Sequence, residues 1–580
     1  ALAERLRAGG AEVTLVRAGA RFAREGERAF VVAPASRADH EALLRALRAD
    51  GAAPDGLVHA FGLDAPGGGD EPSARAFLGV LHLAQALGRV QEREARLFVL
   101  GTGVHDVTGQ ETLHPGQAAA LGPCMVLGQE YPHLSGRYVD VWPGTAAAGE
   151  PVERVYAELT GAAVDPVVAY RGRHRWLPVF DAMPPAAAGA SPVRPGGTYL
   201  ITGGLGNVGL ALAAALVRRG AARVALTGRF GLPDRGQWDA LAAQDGPLAA
   251  RVRAVRALEA AGAEVQVLRA DAGDREEMRA ALAAARARDG ALHGVIHAAG
   301  VIDQTTLKPL AQLEAADGER QLRAKARGAH VLAELLGGER LDFVMMASSL
   351  STVLGGLGFA AYAAANHVLD ALAERQHQLG RTWWTSVAWD GWRTPDAPGA
   401  VAGPAAHAMT AEEGGEAFAR LLSLPRRARL AVSTADLGAR RRAWTQPAAA
   451  APAAGPEASL AQHARPDLHT VYAPPETATE RRLAQVWGAL LGIDRVGLDD
   501  NFFELGGSSL LAVQLVGKLR PEFAGELSVT TLFEAPTVRA LSRVIDAPAE
   551  RGRDLDRSQG RGRMRREIRT DRRMVDATVE

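Results

Sequence analysis

The chain holds one cysteine, Cys124, among 580 residues. A single thiol excludes a disulfide framework and predicts a reducing cytoplasm. Net charge is also missing: 66 Lys+Arg balance 66 Asp+Glu. No global basic field therefore points to nucleic acid, and no acidic excess points to a charged tail protein. There is no run of about 18 uninterrupted apolar residues to span a membrane. The 15 histidines form no His-Glu-x-x-His pattern and no Cys/His cluster, so no metal site is expected. The opening residues, Ala1 to Arg7, are charged and amphipathic, unlike a secretory signal.

What is present is enough apolar residue, 47%, to bury several cores. At about 150 residues per domain the length suggests about four domains. Residues 1–182 alternate short apolar runs (14–16, 29–32, 56–60, 96–100, 138–141) with helical patterns at 39–49 and 72–88. That alternation predicts a doubly wound parallel α/β sheet. Residues 1–8 read as the end of a helix that a strand and turn should precede, so the fold is expected to begin upstream. A Pro/Ala/Gly linker follows at 183–196, and a second α/β unit occupies 197–445. A further Ala/Pro-rich linker at 446–473 leads to a compact helical segment at 474–547. Residues 548–580 alternate Arg with acids and read as a solvated linker or docking tail.

The second α/β unit opens on an apolar strand, then Thr202, Gly203, Gly204, Leu205, Gly206, Asn207, Val208 and Gly209, then an Ala/Leu-rich helix. Gly204, Gly206 and Gly209 have G-x-G-x-x-G spacing. Between a strand and a helix, such glycines let backbone approach a pyrophosphate at the helix N-terminus. The next strand ends in Arg229, where an NAD enzyme would place an acid; a cation there favours the 2′-phosphate of NADPH. A solvated surface arginine is the alternative. Asp271 stands at a strand end suited to the adenine. Ala298, Ala299 and Gly300 supply a small-residue strand end beside the cofactor, and His297 before them reads as packed.

A strand at 343–349 ends in Ser348 and Ser349; Tyr362 follows 13 residues later, and Asn366 one helical turn beyond it. A phenol of ordinary pKa near 10 is a poor acid at neutral pH unless a cation lies close. The Gly loop, the His297–Gly300 run and the Tyr362–Asn366 segment together resemble a short-chain dehydrogenase/reductase, and more narrowly the ketoreductase of a polyketide synthase. The likeness is close over 197–444. Residues 1–180 resemble that enzyme's degenerate structural subdomain, and Gly122–Pro132 is similar to a segment of it in hybrid synthases. Free-standing reductases carry a lysine where this chain has Asn366. Lys325, 37 residues before Tyr362, is the exchanged partner that synthase ketoreductases use.

The resemblance implies that Tyr362 donates the proton and Ser349 hydrogen-bonds the carbonyl. It implies that Lys325 acidifies Tyr362 and holds the ribose, with Asn366 positioning Lys325 or a water. The family's two stereochemical markers are incomplete: Asp303 is kept, Gln304 replaces a second acid, and Leu354 stands where one subgroup has tryptophan. That favours the Leu-Asp-Asp-like subgroup and leaves the alcohol's configuration open.

Near the end, Asp499 to Leu510 (loop, Gly506-Gly507 turn, Ser508-Ser509) leads into a helix with Leu511, Leu515 and Leu519 on one face. This resembles the attachment motif of acyl and peptidyl carrier domains, with Ser509 bearing 4′-phosphopantetheine. An N-capping serine is the plain alternative. The implied function is NADPH-dependent reduction of a carrier-bound β-ketoacyl thioester, with a phosphopantetheinyl transferase and neighbouring synthase domains as partners. The competing readings are an inactive reductase serving as scaffold, and a free-standing sugar epimerase or dehydrogenase, which the carrier and the displaced lysine disfavour.

Overall fold

The computed structural model describes residues 1–63, 71–142, 150–183, 192–287, 290–301, 307–393 and 408–445. In the carrier region it describes 464–465, 470–502, 504–505, 509–519, 522–523, 531–532 and 535–546. The chain divides into two compact units, one of Ala1–Ala397 with His407–Pro447 and one that includes Ala448–Glu580.

The first half of the larger unit contributes eight strands: β1 (Leu15–Ala18), β2 (Ala23–Gly26), β3 (Ala29–Val32), β4 (Gly56–His59), β5 (Ala95–Gly101), β6 (Leu134–Trp142), β7 (Val167–Arg171) and β8 (His174–Trp176). They do not form one doubly wound sheet. β1, β3 and β2 make a three-stranded sheet, and β4 to β8 make a five-stranded sheet in sequence order. The helices Glu71–Val90, Leu121–Glu130 and Glu150–Thr160 connect β4 to β7, all parallel, while β8 returns antiparallel. Each crossover adds its strand on the same side, so the order never reverses. This sheet has no switch point at which an α/β fold opens a ligand crevice.

The second half contributes β9 (Thr198–Thr202), β10 (Arg223–Gly228), β11 (Glu264–Arg269), β12 (Gly294–His297), β13 (Phe343–Ser349), β14 (Trp384–Trp389) and β15 (Arg429–Ala431). Their order is β11-β10-β9-β12-β13-β14-β15, every neighbour parallel. Helices cover both faces, so the central strands read as unbroken apolar runs; β9 is buried along its whole length. The first strand lies in the middle, and the order reverses between β9 and β12. In this register Thr202 stands opposite His297 at the carboxyl ends of those strands, beside the crevice.

The halves share one core. Phe77, Val80 and Leu81 of the first half and Leu310, Leu322, Ala360, Ala361 and Ala364 of the second belong to one buried apolar cluster. The helix Leu121–Glu130 lies against Ala360–Gln378, and Gly122 sets the distance. A Cβ on Gly122 would sit 2.2 Å from the Ala360 carbonyl oxygen and 2.6 Å from the Ala364 nitrogen. Only backbone fits there, and the alanines around Tyr362 keep the facing surface low.

In the second unit, Thr477 and Glu480 cap the helix Ala478–Leu491 reciprocally, and Gly492 ends it in the left-handed region, φ 68°. Trp487 meets Phe502 edge-on at 5.0 Å. A second helix runs Ser509–Leu519, with Leu515 and Leu519 buried. Residues 538–546 are helical as well.

Gly122→Val should cost about 3 kcal/mol, the upper end of overpacking penalties, because the obstruction is backbone and cannot rotate away. Urea unfolding of the variant checks this. A loss below about 1 kcal/mol would mean that the two helices are free to separate.

Candidate active site

The switch-point crevice gathers most residues singled out in the sequence. Gly206 is the N-cap of the helix Asn207–Arg218 and supplies no side-chain cap, so the helix N-terminus is left to an outside acceptor. Gly203 adopts φ +65°, and a Cβ there would meet the Ala299 Cα at 2.6 Å and the Ala298 oxygen at 2.7 Å. A Cβ on Gly209 would meet the Gly203 oxygen at 2.5 Å. The glycines thus let the loop fold onto the β12 end, with Leu205 buried beneath and Asn207 and Val208 opening the helix. A dinucleotide diphosphate fits this cradle.

Arg229 ends the neighbouring strand, exposed, its guanidinium 5.6 Å from the Phe230 ring centroid. Asp271, expected at the adenine, has local partners. Its Oδ1 accepts from the Gly273 nitrogen at 2.9 Å, and its Oδ2 accepts from Arg323 Nε at 3.1 Å. The carboxylate therefore braces the segment that carries Lys325.

That segment is unusual in itself. Between the helices Ala315–Leu322 and Gly328–Leu335, residues Arg323–Arg327 form a π-helical turn. Such turns are rare and concentrate at functional sites. From it Lys325, 4% exposed, runs past Gly300, where a Cβ would lie 2.9 Å from its Cε. Its Nζ donates to the Ala347 carbonyl at 2.7 Å and lies 5.3 Å from the Tyr362 ring centroid. Burial pushes the ammonium down to about 8.

Tyr362 is 9% exposed on the helix Ala360–Gln378. Burial raises its phenol, while hydrogen bonds from Ser349 and Asn366 pull it back. Ser349 Oγ also accepts from the Ser351 nitrogen at 3.2 Å, at the first turn after β13. Of the two roles expected for Asn366, positioning Lys325 or a water, its Nδ2 serves neither directly: it donates to the Tyr362 backbone carbonyl at 2.9 Å. Its buried Oδ1 accepts from no group among the described residues and is open to one donor, such as a water.

His297 carries more of the site than its sequence context suggested. Its Nε2 donates to the Lys325 backbone carbonyl at 2.9 Å, so its Nδ1 accepts from the Thr202 hydroxyl at 2.7 Å. Gly328 makes room, since a Cβ there would lie 2.8 Å from the His297 ring. One buried imidazole thus ties the Gly loop to the π turn. The sequence signal was available: a polar residue at an otherwise apolar strand end needs two partners.

Gly506, Gly507 and Ser508 lie outside the described residues, as do Ile302, Asp303 and Gln304. Ser509 is the first residue of its helix. Among the described residues no three His, Cys, Asp or Glu gather as metal ligands, and no helix is long and apolar enough to cross a membrane.

Comparison with known proteins agrees with this geometry. Residues 197–394 match the KR domain, and 481–545 match the phosphopantetheine attachment site. The chain belongs to the modular polyketide synthase family. It carries a ketoreductase domain, an NADPH-dependent oxidoreductase, followed by a carrier domain. It is 36% identical over 385 residues to 5-methyl-1-naphthoate synthase of Streptomyces sahachiroi, covering 61% of this chain and 20% of that one. To one of the phenolphthiocerol/phthiocerol polyketide synthase proteins of Mycobacterium tuberculosis it is 32% identical over 500 residues, covering 83% and 25%. The chain thus spans about a fifth to a quarter of the length of these curated relatives. A solved A-type ketoreductase from a modular polyketide synthase is 30% identical, TM-score 0.58, over 71% of this chain and 84% of that one. A ketoreductase from a macrolactin assembly line, 23% identical, shares the fold at TM-score 0.62 over 75% and 84%.

Burial pushes the His297 imidazole down to about 4. Its folded pKa lies below the unfolded value near 6.5, so its contribution is full above that pH and is lost as pH falls toward 4. The stability advantage of wild type over His297→Gln should shrink by about 1.4 kcal/mol per pH unit between about pH 6.5 and 4.5. Urea titrations at several pH values measure it, and a constant advantage would place a charged imidazole in the fold.

Proposed function

We propose that this ketoreductase reduces a β-ketoacyl thioester, held on a 4′-phosphopantetheine arm at Ser509, to the β-hydroxyacyl thioester. The observation that carries the reading is the Tyr362 phenol, beside Ser349 and faced by the Lys325 ammonium 5.3 Å from its ring centroid, at the carboxyl ends of β12 and β13. NADPH supplies the hydride to the β-carbon. Its diphosphate would lie on the Gly203–Gly209 cradle, with Arg229 at the 2′-phosphate.

Ser349 and Tyr362 clasp the ketone oxygen, and Tyr362 gives it a proton as negative charge develops there. Lys325 stabilises the resulting phenolate by charge, an effect strengthened by the dry surroundings of both groups. Asn366 Oδ1 accepts from a water through which the phenolate regains its proton. An inactive scaffold would have no use for a buried, cation-faced phenol in this arrangement, which disfavours that alternative.

The carrier acts as a tether, raising the local substrate concentration to about millimolar. A phosphopantetheinyl transferase loads it, and neighbouring synthase domains deliver and receive the acyl chain. The cytoplasm is the compartment that fits NADPH chemistry and a single buried thiol.

Tyr362→Phe should abolish reduction while leaving NADPH affinity within about twofold, since the lost hydroxyl is a proton donor and not a cofactor ligand. Undiminished turnover would remove Tyr362 from the chemistry. Ser509→Ala should eliminate the mass added by phosphopantetheinyl transferase, yet leave reduction of a diffusible thioester intact. Intact-mass spectrometry and NADPH consumption read the two halves separately. An arm still added to Ser509→Ala, or activity lost on the free substrate, would sink the proposed division of labour.

A further inference from the structure

The Gly122–Pro132 segment of the first half has no role in the chemistry above, yet its last helical residues reach the loop between Ser349 and Tyr362. After Ser349 the chain makes one helical turn, Ser351–Leu354, and then passes through Gly355, Gly356 and Gly358 at φ 70°, 138° and 75°. The Tyr362 helix begins directly afterwards, at Ala360. A stretch with three glycines in left-handed conformations has many alternatives open to it, so its one shape must be imposed from outside.

Gln129 and Glu130 impose it. Gln129 Nε2 donates to the Leu354 carbonyl at 2.8 Å, and its Oε1 accepts from the Gly356 nitrogen at 2.8 Å. One side-chain amide thus clasps the backbone on both sides of Gly355. Gly355 must be glycine for this to happen, because a Cβ there would lie 2.7 Å from Gln129 Oε1. Glu130, 1% exposed, accepts from the Gly358 nitrogen at 3.0 Å through Oε1 and from the Leu310 nitrogen at 2.5 Å through Oε2. Among the described residues no cation pairs with it, and burial pushes it up to about 7. Keeping an acid in such a place is costly unless its acceptors are needed. Here they join two loops of the second half. A third side chain, Gln85, holds the other loop by donating to the Leu310 and Leu313 carbonyls, both at 2.7 Å.

We propose that Gln129 and Glu130, residues of the half without a ligand crevice, are positioning residues for reduction, holding the Gly355–Gly358 loop so that Ser349 and Tyr362 meet the same carbonyl oxygen. Neither touches the substrate or the cofactor. They act by setting the distance between two catalytic groups that stand at opposite ends of one glycine-rich loop. The inference rests on the assignment of Tyr362 as proton donor.

The test uses the full chain with NADPH and a diffusible N-acetylcysteamine thioester of a 2-methyl-3-oxo acid, whose product diastereomers can be separated. Gln129→Ala and Glu130→Gln should each lower kcat about a hundredfold per NADPH-binding site, as a displacement of about 1 Å between catalytic groups would. Glu130→Gln keeps the side-chain volume but turns an amide NH2 toward one of the two N–H donors. NADPH affinity should stay within about twofold, because the Gly203–Gly209 cradle lies on other strands. The diastereomer ratio should fall in both variants, a change that simple loss of folded protein cannot produce. Wild-type kcat per cofactor site with an unchanged diastereomer ratio overturns the proposal. So does a loss of activity that only tracks loss of NADPH binding. Tyr362→Phe run alongside separates the two readings: full activity there defeats the donor assignment whatever the Gln129 and Glu130 variants do.

Discussion

Backbone resting on backbone, where Gly122 meets Ala360 and Ala364, is the contact on which the rest of the larger unit depends. Side chains at that crossing would hold the helices apart by about the width of a methyl group, and short polar side chains reach no farther than that. The amide of Gln129 and the carboxylate of Glu130 touch the glycine loop because their helix lies so close. The alanines at 360, 361, 364 and 365 serve the same end from the other side. The crossing gains from apolar burial and forbids variation, since a packed interior transmits any added volume as displacement.

The site follows from a second constraint, the burial of its charged groups. Lys325 and Tyr362 both lose solvation, which pushes the amine down and the phenol up. Their exposed counterparts would interact weakly; in a dry setting each becomes sensitive to the other and to a few fixed dipoles. The neutral His297 ring, bonded at both nitrogens, fixes the Lys325 carbonyl without adding charge. The Ala347 carbonyl orients the ammonium itself. Polar groups at the end of the central strands are thus organised in sequence: Thr202, His297, Lys325, Ala347, with Tyr362 across from the last two.

Much of this was legible in the residues. The seven-stranded sheet announced itself through unbroken apolar runs such as Thr198–Thr202 and Phe343–Ser349, and the Gly loop stood between a strand and a helix as its chemistry requires. Tyr362, Ser349 and Lys325 were legible through the family resemblance that their segments carry, and the structure brings the three together. Less legible was anything decided by a partner distant in sequence. That Asp271 has Arg323 beside it, 52 residues on, could not be read from its strand-end position. Asn366 was expected to position Lys325 or a water, and the sequence did not show that its own helix offers its Nδ2 a carbonyl one turn back. In the first half, short exposed strands such as Ala23–Gly26 and His174–Trp176 lack the apolar run that would mark them. Its split into two sheets followed from pairings that periodicity does not encode.

The π turn at Arg323–Arg327 decides which way Lys325 leaves its helix. An α-helix advances about 100° per residue, and the π turn absorbs one additional residue, so the sequence after it runs about that angle out of step with the sequence before while both flanking faces keep their places. Within the helical run from Ala315 to Leu335, the stretch that packs under Phe77 and the stretch that packs under β13 are therefore out of phase, and Lys325 sits at the dislocation. Loss of one residue there would let the run close into regular α-helix with both apolar faces still exposed to their neighbours. The lysine would swing from beneath the phenol to the helix flank. The placing of that ammonium against the Ala347 carbonyl and the Tyr362 ring thus hangs on a single residue of helix length.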